Sequence, residues 1–564
     1  MARPKEPHTV AHGEHQIELQ PGDKKKLDHL AWPVFRSGFV VGGVSLLAAL
    51  IVAILVDHGG QRLAYAYLVA VMFALALGLG SMFFVLLTHL FRAGWCVLVR
   101  RVFEAQAANL GVVAILLVPV LAVVAVQNGV IYGWNHPEAV LAEAAHAHEA
   151  NAAHDNAAGG DTDGAQASDH QTSSDPAADL DIQHVSAIGT SGSDDRDDRR
   201  ASYSQPAAPA AEGAGGGEHG PAARHAAQDA AEDAHKNDKA APGDAHAAVG
   251  QDAYVPGAHG SGAVGSASLA AGSTAHFALV KRPFLNRVFF LLRVVGFAAI
   301  WAWIGHAFWK RSIKQDEDGE PRHSMWREKF AAPLTLVAAL TVTFGTFDLL
   351  MSLDPAFYST IFGVYYFAGA FLLALCWGVL TLGWLQGRGL LPSVNVEHYH
   401  DLGKLMFAFV FFWGYIAFSQ YMLIWYANLP EITYWLEAHG MSTDGASPLS
   451  GSGWSWIALV LLFGHLLIPF LGLLSRRYKR NLTTLSFWAV WLIFMCYIDL
   501  YWVARPVLSY YGVEWNFADL VLAVLCLTGV MGIFLAGVAR RLANVPLVPL
   551  RDPRLDESLA LRQI

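Results

Sequence analysis

The sequence has few charged residues for its length. Asp, Glu, Lys and Arg make up only 15% of its 564 residues, whereas 54% are hydrophobic. Soluble domains usually carry about 25% charged residues, so this balance points away from a soluble protein. The net charge of −9 says little about partners, because much of it lies in one polar insert. We predict no nucleic-acid partner.

Cysteine is also scarce, and its spacing excludes two kinds of redox centre. No cysteine is spaced as CxxC or followed by His as CxxCH, so neither an iron–sulfur cluster nor a covalent haem is indicated. A non-covalent haem would need two axial histidines at one depth. His89 and His306 both lie at predicted helix ends beside basic residues, where headgroup anchoring explains them. We therefore predict no haem, cluster or metal site, and four buried free thiols: Cys96, Cys376, Cys496 and Cys526.

Apolar runs of about 20 residues or more dominate the rest of the chain. A helix needs this length to cross roughly 30 Å of hydrocarbon, and a lone strand in lipid would leave its backbone unpaired. The first 32 residues are polar and lack the apolar core of a signal peptide. The sequence predicts an all-α polytopic membrane protein with ten helices: 33–56, 64–91, 107–131, 284–309, 331–353, 357–385, 402–428, 454–475, 482–504 and 517–541.

Lys and Arg are concentrated in alternate connections between these helices. Basic residues mark the cytoplasmic side, so the pattern predicts that both termini are cytoplasmic. The connections on the other side hold almost no Lys or Arg. The predicted cytoplasmic connections are 92–106, 310–330, 386–401 and 476–481.

The predicted helices fall into two groups separated by a long polar insert. Residues 132–283 are rich in Ala, Gly, Asp and His and poor in aromatics. Such a composition cannot bury enough apolar surface to offset chain entropy, so we predict a disordered periplasmic insert. The chain is thus divided into a polar tail (1–32), helices 1–3 (33–131), the insert, helices 4–10 (284–541) and a cytoplasmic tail (542–564). We expect the last to lie on the cytoplasmic face or against a partner subunit.

Two carboxylates interrupt the apolar runs. A charged side chain near the bilayer centre costs on the order of 2.5–3.5 kcal/mol, so it needs either a partner or a function. Asp348 either forms an ion pair with Arg293 or handles protons or a quinone hydroxyl. Asp499 presents the same alternatives, with Arg505 as its potential partner.

Other polar residues have simpler explanations beside a functional one. Asp354 precedes a proline, which favours a turn. His465 lies in an apolar run, where a histidine is more often structural than a proton carrier. His400, Asp401 and Lys404 are either an interfacial cluster or a proton entry point, since His400 and Lys404 share a helix face. Together with His465 and either acid, they form a hypothetical proton path across the membrane.

Two long stretches carry a family resemblance. TFDLLMSLDPAFYSTIFGVYYFAGA (346–370) and HDLGKLMFAFVFFWGYIAFSQYMLIWYANLPEIT (400–433) resemble membrane subunits of the polysulfide-reductase type, the NrfD-like family. Within that family they are similar to the second such subunit of alternative complex III, a quinol:cytochrome c oxidoreductase. The resemblance covers the helices but not the insert at 132–283.

The resemblance implies an architecture, ligands and partners. It implies two four-helix bundles with flanking helices, and no redox centre in this subunit. The implied ligands are a quinone (menaquinone or ubiquinone) and phospholipid. The implied partners are a homologous NrfD-like membrane subunit, an iron–sulfur subunit, multihaem cytochrome c subunits and a terminal oxidase. The polar residues expected on the quinone side are Asp354, Tyr358, Gln420, Tyr421 and Arg505.

One departure from the family pattern bears on the quinol site. The homologous partner subunit carries Trp-His where this chain has Phe357-Tyr358. A histidine there would accept a hydrogen bond from quinol, so its loss favours proton handling or structural support in this subunit. The residues alone leave two other classes open, a proton-coupled secondary transporter and a purely structural membrane anchor.

Overall fold

The computed structural model describes residues 19–20, 22, 26–57, 60–126, 129–135, 280–441, 453–510 and 512–562. They all belong to one compact unit of the chain. Most of the predicted polar tail at 1–32 and nearly all of the predicted insert at 132–283 lie outside the described residues.

The described part of the chain is built from α-helices and contains no strand. Polar residues cap several of the long helices: Asn395, for example, accepts hydrogen bonds from the amides of Glu397 and His398 at the start of α9. The helices are α1 (Asp28–Val56), α2 (Gln61–Leu90), α3 (Val97–Ala108), α4 (Leu110–Leu116), α5 (Val118–Ala125), α6 (Arg287–Asp318), α7 (Arg322–Leu349), α8 (Phe362–Gln386), α9 (Val396–Ala427), α10 (Pro430–Ala438), α11 (Trp454–Leu461), α12 (Ile468–Leu474), α13 (Arg476–Arg480), α14 (Leu482–Tyr510), α15 (Phe517–Leu542) and α16 (Leu555–Leu559).

Ten helical segments of this part of the chain are long and apolar enough to cross a membrane. Three short helices, α3 to α5, form one of them, and α11, a π-helical turn and α12 form another. Large apolar side chains cover the outer faces, as on α1, where Ile54 and Leu55 are about 70% exposed. An apolar surface of this extent belongs in lipid. The prediction of an all-α membrane protein with ten spanning helices is therefore confirmed.

The spanning helices form two four-helix bundles. In the first, α2, α3–α5, α6 and α7 make a closed ring of contacts. In the second, α8, α9, α11–α12 and α14 do the same. Contacts of α2 with α8 and α14 join the bundles, and α1 packs with α15 as a flanking pair beside α2. This is the arrangement that the family resemblance implied.

Small residues allow the central helices to approach closely. The central part of α2 is completely buried, and a Cβ built on Gly80 would lie 2.0 Å from the carbonyl oxygen of Ala370 on α8. Gly38 and Gly42 of α1 approach the backbone of α15 in a similar way at Gly532 and Gly529. Membrane helices rely on such close packing because lipid provides no hydrophobic drive for their association.

One end of the molecule, here called the basic end, holds a buried ionic cluster. Arg100 binds Glu104 at 3.0 Å and also pairs with Asp552 of the C-terminal tail. Arg101 pairs with Asp316, and Arg327 lies 3.5 Å from both Glu104 and Asp552. Three guanidiniums thus face three carboxylates, which lets charged turns stay buried.

This cluster explains where the helix boundaries depart from the prediction. Residues 92–106 and 310–330 were expected to be connections because of their charge. Instead α3 begins at Val97, α6 continues to Asp318, and α7 begins at Arg322. The charged residues lie on helical turns because their partners come from the neighbouring helices and the tail.

The C-terminal tail packs against the basic end of the chain itself. Asp552 enters the ionic cluster, and the buried hydroxyl of Ser558 donates to the carbonyl of Trp95 at 2.7 Å. The same hydroxyl lies 3.1 Å from Nε2 of His398 at the start of α9. The tail therefore connects both bundles.

Candidate functional site

A cavity of about 440 Å³ lies in the second bundle. Its walls come from α8, α9, α10, α11, the following π-helical turn and α14. Aromatic and aliphatic side chains dominate the walls, and the polar groups among them are few. Ligand sites have this size and character. The residues that matter below are Tyr365, Trp413, Phe418, Gln420, Tyr421, Trp435, Ser455, Ala458, Leu462 and Trp502.

Asp499 lies behind two residues of the cavity wall. The hydroxyl of Tyr365 donates to one of its oxygens, and the indole N–H of Trp413 donates to the other at 3.1 Å. Asp499 is 4% exposed. No salt bridge joins it to a cation in the described part of the chain, so neutral donors alone hold this carboxylate.

A second, much smaller cavity lies on another side of Asp499. Its volume is about 20 Å³, and its lining includes Tyr365, Tyr366, Gly369, Cys496 and Asp499. This is enough room for one water molecule with polar partners. Tyr365 and Val503 line both cavities, and Tyr365 is the one with a polar group.

His465 lies on a π-helical turn, Leu462–Leu467, between α11 and α12. Its ring is completely buried and stacks on Trp413 with centroids 3.8 Å apart. Nε2 is 3.7 Å from the sulfur of Cys496, whereas Nδ1 has no hydrogen-bond partner among the described residues. Such π-bulges are frequent at functional sites, and this one directs an imidazole towards the indole that binds Asp499.

Asp348, the other carboxylate in an apolar run, is paired with a cation. Arg293 binds its two oxygens at 2.8 and 2.7 Å. The guanidinium also donates to the carbonyl of Phe284 at 3.0 Å and lies over the rings of Phe284 and Phe289. The structure thus contains the ion pair that the sequence left as one of two alternatives. Asp348 lines neither of the two cavities.

Arg505 does not pair with Asp499. It binds both oxygens of Asp519 at 3.1 and 3.2 Å and the carbonyl of Val513 at 3.0 Å. Arg62 of α2 pairs with the same Asp519. Six residues of helix separate Arg505 from Asp499, so the two side chains leave α14 on different faces. Of the two alternatives for Asp499, the ion pair with Arg505 is therefore wrong. Arg505 also does not line the cavity.

Asp354 forms the turn that was predicted for it. One oxygen accepts from the amide of Ala356 at 3.0 Å, and the other accepts from the hydroxyl of Tyr434. Burial raises the pKa of this carboxyl. Tyr358 is 45% exposed and lies beside Lys281. Of the five residues expected on the quinone side, the cavity wall holds Gln420 and Tyr421 and does not include Asp354, Tyr358 or Arg505.

His400, Asp401 and Lys404 lie at the basic end, near the start of α9. Lys404 pairs with Asp401 at 2.5 Å, and His400 lies 3.9 Å from Glu397, which Arg480 also binds. His400 and Trp413 are thirteen residues apart on α9, roughly 20 Å at 1.5 Å per residue. The path from this cluster to His465 stays a prediction.

Two residues of the site, Tyr365 and Trp413, were not singled out from the sequence, because they lie in aromatic or apolar runs that are typical of helix packing. Cys496 was predicted only as a buried free thiol, which it is. One signal was available: Asp499 has no Lys or Arg three or four residues away on its own helix. Its partners therefore had to come from other helices, although the sequence does not say from which.

His439 also lies next to the cavity wall. Its ring stacks on Trp435 at 3.7 Å and meets the edge of Trp502 at 5.0 Å, and both indoles line the cavity. Burial lowers the pKa of His439 to about 4, so its ring is neutral at neutral pH. It supports the indoles without adding charge to the site.

No protein-family model and no curated protein matches the chain. The functional argument accordingly rests on the residues and their geometry.

Proposed function

We propose that the chain is a membrane subunit of a quinol-oxidising electron-transfer complex of alternative complex III type, and that its large cavity binds the ring of a membrane quinone. The observation that carries this proposal is the cavity of about 440 Å³ whose wall residues Tyr365 and Trp413 hydrogen-bond a buried carboxylate. Quinol oxidation releases protons, and a carboxylate near the ring is a group that accepts them.

The rim of the cavity favours a ligand that arrives from the lipid. Phe418 and Leu462 line the cavity and are also 60% and 44% exposed on the outer surface of the bundle. An apolar rim on a lipid-facing surface suits a molecule with an isoprenoid chain. It does not suit a water-soluble solute, which favours quinone binding over proton-coupled solute uptake.

Few polar groups interrupt the apolar wall, and they suit the oxygens of a quinone. The amide oxygen of Gln420 accepts from Ser359 at 3.0 Å, and Tyr421 and Ser455 also line the cavity. Hydroxyls and amides of this kind orient a ligand inside an apolar pocket.

Phe357 and Tyr358 occupy the position where the homologous subunit carries Trp-His. Phe357 stacks on Trp435 with centroids 4.2 Å apart, and Tyr358 does not line the cavity. A proton acceptor in this subunit therefore has to be another residue, and Asp499 is a carboxylate that two wall residues hydrogen-bond. The proposed partners are those that the resemblance implies: an NrfD-like subunit, an iron–sulfur subunit and multihaem cytochromes, with a terminal oxidase downstream, in a bacterial inner membrane with both termini cytoplasmic.

Two variants of α11 test the cavity. Ala458→Phe fills it, whereas Val460→Phe places the same ring on the exposed face of the same helix, because Val460 is 44% exposed and does not line the cavity. In the complex purified in mild detergent, we expect binding of a fluorescent quinone-site inhibitor to weaken at least tenfold in Ala458→Phe and to stay within twofold in Val460→Phe. Equal binding by both variants, or co-purification with a solute-binding protein alone, would contradict the proposal.

A further inference from the structure

We infer that Tyr365 relays protons between the large cavity and Asp499. Asp499 is then the final acceptor of a proton from a hydroxyl bound in the cavity, although the carboxylate does not contact that hydroxyl. The inference rests on the proposed function for the identity of that hydroxyl. It assigns roles to a tyrosine and a tryptophan that neither the sequence pattern nor the family resemblance singled out.

The position of Tyr365 makes it the connection. It lines both cavities, whereas Asp499 lines only the small one. The phenol hydroxyl already donates its hydrogen bond to Asp499. A hydroxyl bound in the large cavity therefore lies against a wall residue that hydrogen-bonds Asp499, and not against Asp499 itself.

Trp413 cannot serve as the relay, although it binds the same carboxylate. An indole N–H is a donor only, whereas a phenol both donates and accepts. Trp413 is a positioning residue: its hydrogen bond of 3.1 Å holds one oxygen of Asp499 and leaves the other to Tyr365. Stacking on His465 at 3.8 Å holds the indole plane in turn.

The step is a pair of proton transfers. The O–H bond of the bound hydroxyl breaks and its proton passes to the phenol oxygen of Tyr365. The phenol proton passes at the same time to Asp499, which becomes a neutral acid. One electron leaves the quinol with this proton, by a separate route, to an iron–sulfur or haem centre of the partner subunits.

The described neighbours of Asp499 carry no fixed positive charge, so a proton is the group that neutralises this carboxylate. The described titratable groups around it are Tyr365 and Tyr366 from α8, Cys496 from its own helix α14 and, one layer further, His465 from the π-helical turn. None of these is a fixed cation. Asp348, in contrast, has Arg293.

The small cavity offers a route onward from Asp499. It holds about one water molecule, and Gly369 forms part of its wall. A Cβ built on Gly369 meets only Trp413 at 3.9 Å and Asp499 at 4.0 Å, which are ordinary contacts. Ala at this position therefore fits without a clash and occupies the space that a water molecule needs.

The principal test compares two buried tyrosines. Tyr132 lines neither cavity, and its hydroxyl donates to the carbonyl of Leu349 at 3.0 Å. In the purified complex, we expect Tyr365→Phe to lower quinol turnover at least a hundredfold, as the loss of a proton-transfer group does. Inhibitor binding should stay within threefold. Tyr132→Phe should keep turnover within threefold, and turnover near the wild-type value in Tyr365→Phe would overturn the inference.

Further variants distinguish a relay from a structural contact. Asp499→Asn keeps a hydrogen-bonding side chain but accepts no proton, so it should remove the limb of the pH–rate profile that reports a deprotonated acceptor. Asp499→Glu should restore that limb in part. Gly369→Ala should slow turnover at least tenfold, whereas Gly383→Ala, on the same helix but 3.6 Å from Leu482, should not. An unchanged pH profile in Asp499→Asn, or equal turnover in the two alanine variants, counts against the relay.

The two proposals fail in different ways. If the inhibitor does not bind the wild-type complex, or binds it equally well after Ala458→Phe, the quinone cavity itself is wrong. If the inhibitor binds in the cavity but Tyr365→Phe turns over normally, only the relay is wrong. Elution of each variant as the intact complex in size-exclusion chromatography shows that it has folded.

Discussion

The ion pair between Arg293 and Asp348 allows a sharp test of which acid serves chemistry and which serves stability. We expect Asp348→Ala to lower the free energy of unfolding by about 3–5 kcal/mol, because it removes one partner of a buried pair. The structure supports this range: two hydrogen bonds to a charged group are lost, each worth about 1.5–3 kcal/mol. The guanidinium keeps only the carbonyl of Phe284 and two ring faces.

The measurement is a double-mutant cycle. Unfolding of the detergent-solubilised protein by SDS, followed by tryptophan fluorescence, gives the free energy for each variant. Arg293→Met combined with Asp348→Leu should recover stability to within about 1 kcal/mol of the wild type, because no buried charge is left unpaired. The exposed pair of Arg322 and Asp318 is the control, and its removal should leave the free energy unchanged within error.

The same variants test function. Asp348→Asn should keep quinol turnover within threefold, because Asp348 lines neither cavity and already has a cation. A folded Asp348→Asn complex with abolished turnover would refute this reasoning. It would return Asp348 to the proton-handling role that the sequence left open.

Two further predictions concern stability. Asp552→Ala should cost about 3–5 kcal/mol because it leaves Arg100 without its tail partner, whereas Asp556→Ala, an exposed change in the same tail, should cost nothing measurable. Burial raises the pKa of Asp552, but pairing with arginine outweighs burial and holds this pKa well below its usual range. The contribution of Asp552 to the free energy of unfolding is therefore present above about pH 4 and lost on further acidification. On titration with acid, this free energy should fall more steeply in the wild type than in Asp552→Ala. Gly80→Ala should lower the free energy of unfolding in SDS by about 1–3 kcal/mol, because its Cβ would clash with α8. Gly43→Ala is the control: a Cβ there has nothing within 4 Å, so this variant should be neutral or slightly stabilising. Equal stability of the two variants would contradict the packing argument.

The membrane helices were predictable because lipid imposes a simple rule on the sequence. Each span needs about 20 apolar residues, and that requirement is visible without knowledge of contacts. Charge misled the prediction at two connections, since Arg100, Arg101 and Glu104 look like loop residues. They stay on a buried helix because Asp316 and Asp552 neutralise them, and these partners are distant in the sequence.

The candidate site was predictable only in part, because the partners of its carboxylate are also distant in the sequence. Asp499 stood out as a carboxylate in an apolar run, and Gln420 and Tyr421 were expected on the quinone side. The partners of Asp499 come from α8 and α9, 134 and 86 residues away. No periodicity in one helix indicates which face of another helix it meets. The π-helical turn that orients His465 has no sequence signature either.

The two membrane-depth acids show how the same energetic problem can have different solutions. Burying a carboxylate in lipid is costly, and a bidentate arginine removes most of the cost at Asp348. Asp499 has two neutral donors instead, and it lies behind the wall of a cavity whose lining includes the exposed residues Phe418 and Leu462. A carboxylate without a fixed counter-charge is neutralised when it binds a proton. A carboxylate paired with arginine needs no proton for this. This difference in partners, rather than burial alone, is why we assign proton transfer to Asp499 and structural pairing to Asp348.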